Sequence, residues 1–272
     1  MKQANCVEFL QWCLPRLRMR WPGFRKVRSQ VCKRIGRRLS DLELGDLNAY
    51  RRYLETHSEE WPHLDAMCRI TISRFFRDRG VFEALETEVF PTLAAAARER
   101  GDHRLRVWSC GCASGEEAYT LTILWGVRFA DQMPGMRLEV TATDGDSGLL
   151  ERARRGVYTA GSIRELPEEL RRTAIETADR SFRVCDRYRE GVSWLCQDVR
   201  VEIPPGRFDL VLCRNLVLTY FDDALQREVM DRVAATLHPG GALVVGSHEV
   251  LPPLAIRLEL WRAAMPIYRR VA

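Results

Sequence analysis

The 272-residue chain is 46% hydrophobic and 29% charged, long enough to bury one large core or two unequal ones. No apolar run approaches the roughly 20 residues that cross a bilayer. The N-terminus, MKQANCVEFLQWCLPRLRMR, lacks the charge order, long apolar core and small-residue cleavage site of a signal peptide, so a cytoplasmic protein without membrane insertion is expected.

The net charge of +5 conceals an asymmetry. Ten Lys/Arg and no Asp/Glu lie between Phe9 and Ser40, which leaves 32 basic against 37 acidic residues elsewhere. Nine cysteines are scattered along the chain with no CxxC and no histidine at ligand spacing. Reduced thiols are expected, and neither a structural zinc site nor any other metal.

In chain order, Trp21-Pro22-Gly23 interrupts the first segment. Beyond it Val27, Val31, Ile35 and Leu39 recur every four residues, predicting a helix with one apolar stripe and a basic back. Residues 46–55 and 64–77 read as two more helices, so 1–70 form a small helical, basic domain and 71–272 a second one. Another helix ends at Gly101.

From there the pattern alternates. Residues 105–111 read as a strand, 116–130 as a helix, 137–144 as a strand and 147–155 as a helix. Residues 208–215 are again a strand, 222–237 a helix and 241–247 a strand, with an antiparallel hairpin closing the chain. Short apolar runs, each followed by a helix, build a parallel sheet covered on both faces. Residues 167–177 read as helical. SFRVCDRYREGVSWLC (181–196) reads as short antiparallel strands, an insertion over about 178–200.

The loop in VWSCGCASGEEAYTL (107–121) spaces its glycines GxxxG. That is neither the dinucleotide GxGxxG nor the GxxxxGK[ST] of phosphate loops, and Glu116 and Glu117 at the helix start would repel a pyrophosphate. The loop suits a nucleoside that carries positive charge, with Asp144, at the end of the second strand, gripping ribose hydroxyls. S-adenosyl-L-methionine meets these demands.

RFFRD (74–78), VWSCGCASGEEAYTL (107–121), ATDGD (142–146), FDLVLCRN (208–215), TYFDD (219–223) and the GG…GSHE segment (240–249) occur together in one order. In this set the sequence resembles the CheR family of chemotaxis receptor methyltransferases, which methylate receptor glutamates. The resemblance implies an α/β fold: a Rossmann-like class I S-adenosylmethionine-dependent sheet, a small N-terminal helical domain and a small antiparallel β insertion. It implies a protein-glutamate O-methyltransferase with Arg77 and Tyr220 at the reaction centre. Thr71, Ser73, Arg77, Gly111, Glu117, Asp144, Asp198, Val199, Arg214 and Asn215 would bind the cofactor.

By the same resemblance the basic N-terminal helix meets an acidic chemoreceptor helix bundle or another signalling protein; nucleic acid is not the expected partner. Four departures stand out. Thr71 and Ser73 replace the usual Asn and Thr. Four residues (LVLT) separate Asn215 from Tyr220 where three are usual. GSHE replaces GHSE. The link before SFRVCDRYREG is short, which argues against docking of a receptor's tail peptide. These leave open another protein or a small carboxylate as substrate, or a cofactor-binding signalling module without turnover.

Overall fold

The computed structural model describes residues 3–178 and 181–271. Their contacts divide the chain into two compact units, Met1–Thr71 with Thr219–Gln226, and Ile72–Leu218 with Arg227–Ala272. No helix among the described residues is long and apolar enough to cross a membrane.

The first unit contains helices Gln3–Cys13, Arg28–Asp41, Leu47–Thr56 and Trp61–Cys68. Arg28–Asp41 buries Val31, Cys32, Ile35 and Leu39, the stripe that the four-residue spacing predicts. Leu47–Thr56 begins where the Asp46 carboxylate accepts the Ala49 amide at 2.8 Å, satisfying one of the donors a helix start leaves without a partner. Behind these helices lies Glu60, only 2% exposed, which accepts two hydrogen bonds from Arg38 at 2.9 and 2.6 Å and one from the Tyr50 hydroxyl at 2.7 Å.

Two expectations are corrected here. Cys6 and Cys32 are joined by a disulfide, and the other seven cysteines are free. The packing of two helices brings their Cα atoms to 6.2 Å, within bridging range, which no sequence spacing reveals. The helix expected over 64–77 stops at Cys68. Ile70, Thr71 and Ile72 are β-branched and lower helix propensity. Beyond them Phe76 (φ 57°) and Asp78 (φ 63°) are left-handed, which no right-handed helix accommodates.

Residues Thr219–Gln226 belong to the first unit through their backbone. Arg20 N donates to Tyr220 O and Asp222 N to Arg18 O, both at 2.8 Å, with Met19 bridging Phe221. Gly23 sits so close to the Thr219 carbonyl that a Cβ there would collide with it. That explains the glycine after Trp21-Pro22.

The second unit carries β1 (Arg104–Cys110), β2 (Arg137–Asp144), β3 (Val157–Tyr158), β4 (Ile175–Ala178), β5 (Ser181–Val184), β6 (Val192–Cys196), β7 (Phe208–Cys213), β8 (Leu237–Val244), β9 (Leu258–Leu260) and β10 (Ile267–Arg270). Seven of them form one sheet in the order β6-β2-β1-β7-β8-β10-β9, mostly parallel, with β10 running against both neighbours. This is the Rossmann-like class I methyltransferase sheet. Every residue of β7 is buried, as expected of a strand covered on both faces.

β3, β4 and β5 make a separate antiparallel sheet in the order β3-β5-β4. The stretch GVSWLC does not belong to it: β6 lies parallel to β2 at the edge of the main sheet, so the antiparallel piece is displaced toward the N-terminus. Trp194 of β6 packs edge-on against Tyr119 at 5.4 Å, a partner 75 residues away that local alternation cannot register. The connection at 179–180, where the short link lies, is outside the described residues.

Candidate functional site

The chain leaves β1 toward β2 on one side and later returns to β7 on the other. Strand order reverses there, and in open α/β sheets the crevice beyond the carboxyl ends at such a point takes the ligand. The turn after β1, the ends of β2 and β6, and the turn after β7 all open at this edge.

The turn after β1 is built from left-handed backbone: Gly111 (φ 73°), Ala113 (φ 48°) and Gly115 (φ 90°). The amides of Gly111 and Cys112 both donate to Thr143 O, at 2.9 and 3.0 Å, which ties the turn to the end of β2. At Gly115 a Cβ would meet Trp194 at 2.7 Å and Ala153 at 2.9 Å, so only glycine fits. Asp144 spans the turn: one carboxylate oxygen accepts Ala113 N at 2.9 Å, the other Asp146 N at 3.0 Å.

The two glutamates at the helix start differ. Glu116 is 1% exposed and accepts the Ser114 hydroxyl at both carboxylate oxygens. Glu117 accepts the Ser109 hydroxyl at 2.7 Å and Arg214 Nη1 at 2.9 Å. Arg214 is a buried hub. Its Nη2 reaches Asp78 at 2.6 Å and the Arg77 carbonyl at 2.9 Å, and its guanidinium lies 5.4 Å from the Phe82 ring centre. The resemblance places Arg214 among the cofactor ligands, yet both Nη groups hold protein, fixing Glu117 and the RFFRD turn at once.

That turn positions Arg77. The left-handed residues Phe76 and Asp78 flank it, the Phe76 amide donates to Thr120 Oγ1 at 3.2 Å, and Arg214 holds Asp78. Strained backbone persists where its surroundings over-determine it. Arg77 Nη1 donates to Ile72 O at 3.0 Å and Nη2 to Asn215 Oδ1 at 2.9 Å, so two residues 138 apart in sequence meet. Asn215 is itself left-handed (φ 55°).

Ser73 is half-buried on the irregular segment before the turn. Thr71 and Tyr220 belong to the first unit, where Tyr220 packs on Phe24 at 5.1 Å. Val217–Tyr220 forms a helical turn after Asn215. The Asp198 carboxylate accepts from its neighbour Arg200 through Nε and Nη2, and Val199 O accepts from Arg232 at 2.9 Å.

No chemistry is expected of the thiols beneath the turn. Cys110 and Cys213 are register partners across β1 and β7. Their mutual hydrogen bond and then burial push the Cys110 thiol far above its ordinary pKa; burial, then Asp144, does the same to Cys112. Both stay neutral. Among the described residues no group of three or more His, Cys, Asp or Glu is placed to hold a metal ion.

Sequence inspection passed over Ser109, Thr120, Asp78 and Glu249, all of which hold other site residues in place. All four lie inside the motifs that carry the resemblance: Ser109 and Thr120 in VWSCGCASGEEAYTL, Asp78 in RFFRD and Glu249 in GSHE.

A family model described as CheR methyltransferase, SAM binding domain, matches residues 71–264. The chain belongs to the CheR methyltransferase family. Over 190 residues this CheR-family chain is 33% identical to the chemotaxis protein methyltransferase of Listeria monocytogenes, covering 69% of each. Over 244 residues it is 33% identical to the chemotaxis protein methyltransferase of Escherichia coli K12, covering 86% of this chain and 80% of that one. Among solved structures it aligns with the N-methyltransferase NodS of Bradyrhizobium japonicum at 14% identity and a TM-score of 0.34, over 72% of this chain and 90% of that one. The fold assignment rests on the strand order instead.

The CheR-family chain is thus an S-adenosylmethionine-dependent methyltransferase. The donor set fits that cofactor. Carboxylates of Glu117 and Asp144 line a bare-backbone turn that contains no lysine, which favours a cationic nucleoside over a phosphate.

Proposed function

We propose that this enzyme esterifies glutamate side chains on a chemoreceptor helix bundle, in the cytoplasm. The observation that supports this most directly is the fixing of Arg77 by Ile72 O and Asn215 Oδ1 at the carboxyl edge of the sheet. Two donors of the guanidinium orient it, and the rest of the fork is left to receive an anion.

S-adenosylmethionine, when bound, supplies a methyl group on a cationic sulfur, open to in-line attack. The acceptor needs no activation: a glutamate carboxyl, with a reference pKa of about 4.3, is already ionised at neutral pH. No general base is called for. Arg77 takes the carboxylate bidentately and aims one oxygen, and alignment of the reactants provides most of the acceleration. Asp144 holds the ribose hydroxyls. Gly111, Glu117 and Ser73 line the cofactor site, and the backbone at Asp198 and Val199 flanks the adenine.

The acidic partner meets the first unit's basic surface. Six of the ten basic residues between Phe9 and Ser40 hold partners within the unit: Arg16, Arg18, Arg20, Arg28, Arg34 and Arg38. The side chains of Arg25, Lys26, Lys33 and Arg37 are exposed, with no hydrogen-bond or ion-pair partner among the described residues. These four are the surface to which an acidic helix would be drawn.

The test is transfer of tritiated methyl from the cofactor to a purified receptor signalling fragment. A glutamate ester is released by mild alkali as methanol; label that survives alkali means a different acceptor atom.

A further inference from the structure

We infer that Glu249 is a positioning residue for methyl transfer: its carboxylate pins the Asn215 turn and, through Asn215, sets the aim of Arg77. Parallel pairing of β7 with β8 reaches as far as Leu212 and Val244. Beyond that rung the two chains enter their loops and no longer hydrogen-bond to each other as strands. A single oxygen replaces the missing rung. Glu249 Oε2 accepts the Asn215 amide at 3.0 Å and the Gly246 amide at 2.6 Å.

The local chain is built to bring that oxygen there. The Glu249 amide donates to Gly246 O at 2.9 Å, closing a tight turn that folds the side chain back beneath the strand ends. Gly246 leaves that space open: a Cβ would lie 2.7 Å from Glu249 Oε2 and 2.8 Å from Asn215 Nδ2, so a side chain there would push both tips aside. Carboxylate, glycine and asparagine amide therefore occupy one interlocked space.

Asn215 is where this reaches the chemistry. Its left-handed backbone (φ 55°) is uncommon for any residue with a side chain, and a charged acceptor on its amide holds it there. With the backbone pinned, Oδ1 points at Arg77 Nη2 at 2.9 Å. Both amides that Glu249 accepts belong to the loops after β7 and β8, so its effect is expected on orientation rather than cofactor affinity. Glu249 matters to transfer only if Arg77 orients the acceptor, as proposed above.

Three measurements on the full chain test this. First, hydrogen exchange at the Asn215 and Gly246 amides should speed up at least about tenfold in Glu249→Ala, and little in Glu249→Gln, which keeps an acceptor oxygen. Second, Glu249→Ala should lower kcat about tenfold or more while the Kd for S-adenosylhomocysteine stays within about twofold, and Glu249→Gln should restore most of the rate. Third, Arg77→Ala/Glu249→Ala should be no slower than Arg77→Ala, because both changes break one chain of contacts.

A wild-type rate in Glu249→Ala overturns the inference, and so do losses that multiply in the double variant or a cofactor affinity that falls with the rate. Should Glu249→Ala fail to fold, Glu249→Asp carries the test, its shorter side chain being unable to reach both amides; a wild-type rate there refutes the pin. If Arg77→Ala keeps its rate, the role of Arg77 fails and the contribution of Glu249 to transfer falls with it, and the exchange data tell the two failures apart.

Discussion

Arg214 Nη1 lies 2.9 Å from Glu117 Oε2, and the same guanidinium reaches Asp78 at 2.6 Å, with only 4% of the arginine side chain exposed. One cation thus joins the helix after β1 to the turn that carries Arg77. Replacing it leaves the Glu117 and Asp78 carboxylates without the cation they share. Arg214→Ala should lose roughly 3 kcal/mol of stability, near the low end for breaking a buried pair because Asp78 is partly exposed. Urea denaturation measures it. A loss below about 1 kcal/mol would mean the hub is dispensable.

Cofactor affinity and rate should separate by residue. Asp144 is fixed by two backbone amides at the end of β2, so Asp144→Ala removes a preorganised carboxylate and should weaken S-adenosylhomocysteine binding at least tenfold, about 1.4 kcal/mol. Arg77→Ala should leave that affinity within about twofold and lower kcat by two orders of magnitude or more. Calorimetry beside single-turnover transfer reads both. Equal loss of binding in the two variants would contradict the division.

Charge reversal at the exposed basic surface should act on encounter. Lys33→Glu/Arg37→Glu should lower kcat/KM for a receptor fragment about tenfold at low salt, with kcat at saturation unchanged and a shallower dependence on ionic strength. Arg34→Glu offers the contrast: it breaks contacts to Met67 and Arg69 carbonyls, so melting temperature should fall with activity.

The Cys6–Cys32 bridge closes a sequence separation of 26 residues. Cys32→Ser, or reduction, should destabilise the helical unit by about 3.5 kcal/mol on the chain-entropy account of such a loop. Calorimetry with and without reductant checks this, and a reducing cytoplasm would hold the open form. Of the free thiols, exposed Cys196 should react first with a thiol reagent, and Cys110 and Cys112 only on unfolding.

Glu60 makes the helical unit acid-sensitive. Burial pushes its carboxyl up, but the hydrogen bonds from Arg38 and Tyr50, together with the Arg38 charge, outweigh burial and hold its pKa below the usual value. A depressed carboxyl stabilises the fold above its unfolded pKa, about 4.3, and loses that contribution as pH falls through the folded value. The melting temperature should therefore drop below about pH 4.3, and Glu60→Gln should flatten that part of the profile.

Sequence alone determined what repeats locally or stands next to itself in the chain. The apolar stripe of the basic helix, the strand–helix alternation, the limits of β2 and the GxxxG turn all follow from periodicity and turn chemistry, because a helix face or a strand face is set by neighbours a few residues apart. The acidic, lysine-free loop likewise named its cofactor class before any fold was drawn. Tertiary structure alone decided what depends on distant partners. The ending of the helix at Cys68, the parallel pairing of β6, the disulfide, the six basic residues drawn into internal contacts and the route from Glu249 through Asn215 to Arg77 are all of this kind. Hydrogen bonds and ion pairs act over a few ångströms in space and carry no signature in sequence separation, so which polar groups meet is fixed only once packing has placed the backbone.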